Sequence, residues 1–348
     1  MKKAAVCFNA MSCVGFGAAF FRGRIRPLRG TARTAWTASV VGPRIARWRP
    51  DWVHAEFLGL PAAVGRLLAA RLSVPFSISA HARDIFVPAM RLDRLCSTAR
   101  FVAVCSSHAR ASLIGRLPPQ LAEKVLYCPH VVACPPLRGR RPEGPARPPL
   151  FLCVARLVPK KGIDTVLQAL ALVRRRMHFR FRVVGGGPES DRLQQLARQL
   201  SLDCVEFTGP EAPSDVAAHL AQADLFVLGT RTAADGDRDG IPNALLEAMA
   251  AGVPVVATDG GAVSEIIRHR WTGWLSPPDD RMALADCICE AASMPELRNE
   301  ITERAWFQVR RRFSSDNPNS LADQIERGIA SRIRGGCVDF PMRLRAET

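Results

Sequence analysis

The chain has 348 residues, 48% of them hydrophobic and 23% charged, which supplies apolar material for two packed domains and excludes a disordered chain. Its formal net charge of +16 rests on 48 basic residues, yet it has one Tyr and no basic stripe interleaved with aromatics, which argues against a nucleic-acid partner. The 11 cysteines form no C-x-x-C pair, the nearest two being Cys287 and Cys289, so neither a zinc ribbon nor a dithiol motif is encoded.

The opening fifty residues carry a lysine pair and a mostly apolar stretch through Phe21, interrupted by Asn9, Ser12 and several glycines. That stretch lacks a small-residue cleavage site and is too mixed for a membrane span. No strand, glycine loop and helix unit is legible there. From Trp52 the pattern sharpens: Trp52–Glu56 reads as a strand end, Pro61–Arg71 as a helix and Phe76–Ser79 as a strand running into Ala80-His81-Ala82-Arg83-Asp84. A histidine at the carboxyl end of a parallel strand faces the crevice, which singles out His81, while His54 and His130, each near a strand end, are weaker candidates that read better as structural. Val102–Cys105 is a further strand, followed by Ser106-Ser107 and a helix. Pro135–Pro149, rich in proline and arginine and without apolar periodicity, is read as an interdomain linker.

Beyond it, Leu150–Val154 reads as a strand, Ala155 to Gly162 as a basic loop and Ile163–Val173 as a helix. Phe179–Val184 is the next strand, Gly185-Gly186-Gly187-Pro188 its turn, and Leu193, Leu196 and Leu200 mark an amphipathic helix. Cys204–Gly209, Asp224–Leu228 and Val253–Ala257 read as strands and Val216–Ala221 as a helix, so the alternation predicts a doubly wound parallel sheet. Between the last two strands, Pro242 suits the first position of a short helix over Asn243–Ala250, which carries Glu247, while Asp239 lies in the loop before it. Two carboxylates that accept from hydroxyls, with helix-start N–H groups suited to a diphosphate, describe a nucleotide-sugar site.

The stretch Asp239 to Glu265, with Glu247-Ala248-Met249-Ala250, Gly252-Val253-Pro254-Val255-Val256 and Gly260-Gly261, resembles the retaining glycosyltransferases of family 4, over roughly Asp51 to Asp280. The family's first signature glutamate is an aspartate here, Asp239, whose carboxylate sits about one methylene further back. The resemblance implies an α/β GT-B fold, two Rossmann-like domains with parallel sheets facing across a cleft, the amino-terminal one incomplete. The expected layout is 1–134 on the acceptor side, linker 135–149, donor domain 150–310, and a returning helix with a basic tail over 311–348, the helix at Ser320–Ile333.

By the same resemblance Glu247 holds the ribose and Asp239 the hexose, Arg156 and Lys161 neutralise the diphosphate, and His81 touches the transferred sugar from the opposite domain. Gly186, Gly187, Gly240, Ile241, Gly260, Gly261 and Glu265 are expected to complete the donor site. Fixed cations favour a leaving diphosphate, whose negative charge grows in the transition state. They imply that no metal and no cofactor is needed, although Asp235, Asp237 and Asp239 imitate a metal motif. The implied reaction moves a sugar, with retention, from a nucleotide-sugar donor to a glycan or polyprenyl-linked saccharide. The run Thr232 to Asp237 points to surface-polysaccharide assembly, in exopolysaccharide or lipopolysaccharide. The basic charge suggests a cytoplasmic protein held peripherally at an anionic membrane surface through Pro61–Arg71 and Arg110–Arg116, with biased base composition as the other source of the arginines. A non-catalytic nucleotide-sugar-binding paralogue or a basic scaffold are the alternatives.

Overall fold

The structure, a computed structural model, describes residues 6–8, 30–87, 92–137 and 147–333. Most of the apolar stretch up to Phe21, most of the linker 135–149 and the final basic tail lie outside these residues.

The amino-terminal half is a parallel sheet in the order β1 to β5, with strands Val6–Phe8 (β1), Val53–Glu56 (β2), Phe76–Ala80 (β3), Val102–Val104 (β4) and Val125–Tyr127 (β5). Around it lie helices Gly30–Ala46 (α1), Leu60–Leu72 (α2), Ala82–Phe86 (α3), Leu92–Thr98 (α4), Ser107–Ile114 (α5) and Pro119–Ala122 (α6). The divergent opening therefore does hold a strand and a helix. Val6 pairs with Val53 and Phe8 with Ala55 in parallel register. Both were illegible because β1 spans 3 residues and α1 carries Pro43 within it. α2 forms because Pro61 suits the first turn and Pro61, Ala62, Val64, Leu68 and Ala69 fall on one buried stripe. It ends at Ser73, which takes the left-handed conformation with φ 53°.

The second half is a six-stranded parallel sheet, built from Leu150–Val154 (β6), Arg180–Val184 (β7), Val205–Gly209 (β8), Leu225–Leu228 (β9), Val255–Thr258 (β10) and Trp274–Ser276 (β11). Its order is β11-β10-β9-β6-β7-β8. Helices Ile163–Val173 (α7), Ser190–Gln199 (α8), Pro213–Gln222 (α9), Asn243–Ala250 (α10), Arg281–Ser293 (α11) and Pro295–Phe313 (α12) complete it. The central strand β6 pairs with β7 on one side and β9 on the other, so the connections leave it in opposite senses and a crevice opens at its carboxyl end. Ile163, Val166, Leu167, Leu170 and Val173 give α7 a continuous buried face. The predicted helices α7 and α10 and strand β6 keep their bounds; Pro242 sits one residue ahead of α10 as its cap.

Each sheet has its own apolar core. A third, smaller cluster joins the two ends of the chain: Trp52, Phe101, Ala103 and Cys128 pack against Ile325 of the last helix, Leu321–Ile333 (α13). Val132 N donates to Phe313 O at 2.8 Å and Trp306 Nε1 to Pro135 O at 3.0 Å, fastening the segment after β5 to α12. Among the described residues no helix is long and apolar enough to cross a membrane.

The contact of α13 with the first sheet depends on Gly328, where a Cβ would lie 2.5 Å from Cη2 of the buried Trp52. A Gly328→Ala variant is expected to lose about 1–3 kcal/mol. Deuterium uptake should rise in α13 and stay unchanged in α7; equal protection of α13 in variant and parent would contradict the packing.

Candidate active site

The carboxyl ends of both sheets face one cleft, and a cavity of about 1120 Å³ lies between them. From the second domain it is lined by Arg156 and Lys161 after β6, Gly185, Gly186 and Gly187 after β7, and Asp239, Gly240, Ile241 and Glu247 around the start of α10. From the first domain Glu56, Phe57, His81, Cys105 and His130 reach it, each at or just past a strand end.

The loops after β6 and β9 are joined by charge. Lys160 Nζ stands 3.1 Å from Asp237 Oδ1 and 3.3 Å from Asp239 Oδ1, and Lys161 Nζ stands 2.6 Å from Asp239 Oδ2. All four side chains are largely buried, at 7%, 13%, 13% and 11% exposure for Lys160, Lys161, Asp237 and Asp239. The apparent metal motif is thus engaged with cations, for Arg83 of the first domain also pairs with Asp237 at 3.2 Å and with Asp235 at 3.6 Å. Arg156 is exposed into the cavity and makes no ion pair among the described residues. Glu247 is half-buried, its carboxylate has no hydrogen-bond partner among the described residues, and burial pushes its pKa up.

Glycines shape this wall. Gly261, with φ 77°, brings its backbone so close to Asp239 that a Cβ would sit 2.0 Å from the Asp239 carbonyl oxygen. Gly185, with φ 137°, stands in the same way against Ala155, where a Cβ would lie 1.9 Å from the carbonyl oxygen. The backbone after β7 is thereby laid against the loop that bears Arg156.

On the opposite wall His81 Nε2 meets Glu56 Oε2 at 2.9 Å. Burial alone would lower the His81 pKa, but Cys105 and Glu56 outweigh it and hold the imidazole up at about 9. Glu56 is the counterpart: burial would raise it, and His54 and His81 instead hold its carboxyl well below the usual range. His130 Nδ1 bonds the Asn243 side chain across the cleft. His54 is fully buried between Ser77 Oγ at 2.7 Å and Ser79 Oγ at 2.9 Å, a core histidine.

His81, Arg156, Lys161, Gly186, Gly187, Asp239, Gly240, Ile241 and Glu247 all line the one cavity. Gly260, Gly261 and Glu265 do not line it. Gly260 packs on Thr230, where a Cβ would lie 2.3 Å from the carbonyl oxygen, and Gly261 supports Asp239 from behind. Glu265, expected among the donor-site residues, accepts from the backbone N–H groups of Ser107 at 2.9 Å and His108 at 2.6 Å, so it caps α5 of the other domain. Sequence reasoning passed over Lys160, Glu56 and Asn243, read Cys105 as a small buried hydrophobe and ranked His130 as a weaker candidate, more structural than functional. The lysine doublet and the strand-end positions of Glu56 and Cys105 were signals for three of them; the Asn243 to His130 contact, 113 residues apart, had none.

Residues 140–306 match the family described as Glycosyl transferases group 1. The chain is 38% identical over 141 residues to the amylovoran biosynthesis glycosyltransferase AmsK of Erwinia amylovora, covering 40% of this chain and 35% of that protein. It is 40% identical over 145 residues to the GDP-mannose-dependent alpha-(1-6)-phosphatidylinositol monomannoside mannosyltransferase of Mycobacterium tuberculosis (strain ATCC 25618 / H37Rv), covering 41% of this chain and 38% of that protein. The matches span less than half the length of these curated relatives. In three dimensions the chain is similar to the crystal structure of Anabaena Alr3699/HepE in complex with UDP and glucose, with a TM-score of 0.69 at 22% identity, covering 88% of this chain and 84% of that one. With two parallel sheets facing one cleft, the chain has a GT-B-like fold, and residues 140–306 of its second domain are similar to the group 1 glycosyl transferases.

Proposed function

We propose that this chain transfers a sugar, with retention, from a nucleoside diphosphate sugar to a hydroxyl of a glycan or lipid-linked saccharide in surface-polysaccharide assembly. The observation that carries this reading is a cation, Arg156, and a half-buried carboxylate, Glu247, that have no partner among the described residues and line one cavity between the two sheets. Glu247 accepts from the ribose hydroxyls, and Arg156 and Lys161 take the diphosphate. As the glycosidic bond to phosphate breaks, charge grows on the diphosphate. Cations already in place stabilise that charge without reorganising, and on this reading they do so without a metal. Asp239 holds the hexose from one side and charged His81 donates to it from the other. The tuberculosis relative's name specifies GDP-mannose and the Anabaena structure holds UDP and glucose, so both nucleotides are to be tested.

Calorimetric titration with UDP and GDP is expected to give binding that falls about tenfold or more in each of Arg156→Ala, Lys161→Ala and Glu247→Ala, the value of one charge-assisted contact at ~1.5–3 kcal/mol. No binding by folded protein would remove the donor site. A paralogue without turnover would share the binding and lack donor hydrolysis and transfer.

Because His81 is held up at about 9 against an ordinary 6.5, its charged form stabilises the fold fully below pH 6.5, and this contribution is lost as pH rises through about 9. Transfer is expected to fall on the same alkaline limb. Glu56→Gln removes a partner of the charged form, so the limb should move to lower pH; a limb that stays in place would separate His81 from the reaction.

Membrane attachment we assign to α1 rather than to the two stretches suggested by charge alone. α2, which contains Pro61–Arg71, buries most of its apolar face, and Arg110 and Arg116 donate to the carbonyls of Val125 and Ile85. The outward face of α1 and the residues after it carry Trp36, Val40 and Trp48 at 43%, 52% and 71% exposure, with Arg44, Arg47 and Arg49 alongside and no acidic residue from Gly30 to Pro50. Amphipathic aromatic rings among arginines suit the anionic inner face of a membrane. The protein should pellet with anionic vesicles at low salt and less at high salt, and Trp36→Ala with Trp48→Ala should weaken this. Equal recovery with neutral and anionic vesicles would contradict it.

A further inference from the structure

Cys105 stands just past the carboxyl end of β4, where the donor cavity meets a second cavity of about 760 Å³ that runs under α13. It lines both. Two imidazoles flank its sulfur, His81 and His130, with ring centroids 5.9 Å apart. Each imidazole is itself fixed, His81 by Glu56 and His130 by Asn243. On the remaining side lies Gly240, where a Cβ would stand only 3.3 Å from the sulfur, and Ser106 beyond it. An atom added to this sulfur therefore has two places to go, into the cavity or against the residue next to Asp239.

The thiol also differs chemically from its counterparts. Burial alone would raise its pKa, but hydrogen bonds with His130 and His81 outweigh burial and bring it down to about 6. Burial pushes Cys96 up to about 11 and Cys128 and Cys153 to about 12, with nothing comparable to oppose it. The other titratable groups that bear on Cys105 are Glu56, through His81, and Tyr127 of β5. At neutral pH the imidazoles thus favour the nucleophilic thiolate here.

We propose that Cys105 is a covalent modification site through which small electrophiles, hydrogen peroxide in particular, close the donor cavity. The sulfur attacks one peroxide oxygen, the O–O bond breaks, an S–O bond forms and hydroxide leaves. The proton for that hydroxide comes from the imidazolium of His81 or His130, and water departs. Sulfur is oxidised to the sulfenic acid while peroxide is reduced, and an added thiol restores the cysteine through a mixed disulfide. The oxidised side chain then occupies space beside Gly240 and withdraws one of the two negative partners of His81, leaving Glu56. The consequence for donor binding rests on the function proposed above; the reactivity of the sulfur does not.

The test is limiting iodoacetamide on the intact folded chain, with each cysteine followed by peptide mass spectrometry across pH and nucleotide affinity measured afterwards. Cys105 is expected to be alkylated at least about tenfold faster than Cys96, Cys128 and Cys153, with its rate rising around pH 6 rather than pH 9. His130→Gln should slow it at neutral pH. Labelled protein should lose nucleotide affinity by about tenfold or more, and peroxide should do the same, reversibly with dithiothreitol. In Cys105→Ala, nucleotide affinity should be indifferent to both reagents. Alkylation of Cys105 no faster than that of Cys96, or a labelled protein with full affinity, would overturn the proposal. A chain that binds no nucleotide before labelling would remove the donor-site reading instead, and the order of alkylation would still judge the cysteine.

Discussion

Four buried charges hold the second half of the cleft together. Lys160 and Lys161 follow β6, Asp237 and Asp239 follow β9, and their contacts at 2.6 to 3.3 Å fix two loops that meet where the strand order reverses. Taking such groups out of water is costly, so the arrangement is stable only as a complete set; removal of one partner from a buried pair typically costs ~3–5 kcal/mol. The loops cannot separate without exposing uncompensated charge. That constraint places Arg156 on one side and α10, with Glu247, on the other. It also means that Lys161 lines the cavity as a cation already engaged by Asp239.

The first domain enters this arrangement through its strand ends. Glu56, His81, Cys105 and His130 come from four successive strand termini, and the sheet geometry alone gathers them on one wall. Two contacts set how that wall meets the other. Arg83, on α3, extends the charged set through Asp237 and Asp235. Glu265 places a carboxylate on the exposed N–H groups at the start of α5, where both hydrogen bonding and the helix dipole favour negative charge. The glutamate that follows the glycine pair therefore acts on the relation between the domains, while Gly261, behind Asp239, acts on the cavity wall of the second.

Much of the second domain was legible because its units are local. The aliphatic run of β6, the apolar stripe of α7 and the proline ahead of α10 each declare themselves within a dozen residues. The opening strand did not, since 3 residues carry no periodicity, and α1 was obscured by an internal proline. The candidate site was legible where a motif gathered its residues, as with Asp239 and Glu247. It was not legible where two distant segments combine. Nothing near Glu265 announces a helix start 158 residues earlier, and nothing in Asp237 announces Lys160, 77 residues before it. Pairing of charges across a fold is a property of the topology, and a single sequence shows only the candidates.

The last helix completes the first domain's small aromatic cluster, with Ile325 against Trp52 and Phe101 and with Gly328 beneath the indole. During synthesis this creates a delay. The second sheet can form as its strands leave the ribosome, whereas Trp52 and Phe101 lack their cover until residues 321–330 have emerged, some 270 residues after Trp52 itself. The half made first is therefore finished last. For that interval an aromatic surface of the first domain stays open to chaperones and to neighbouring chains, and damage at the carboxyl end would be felt as a folding defect of the amino-terminal domain.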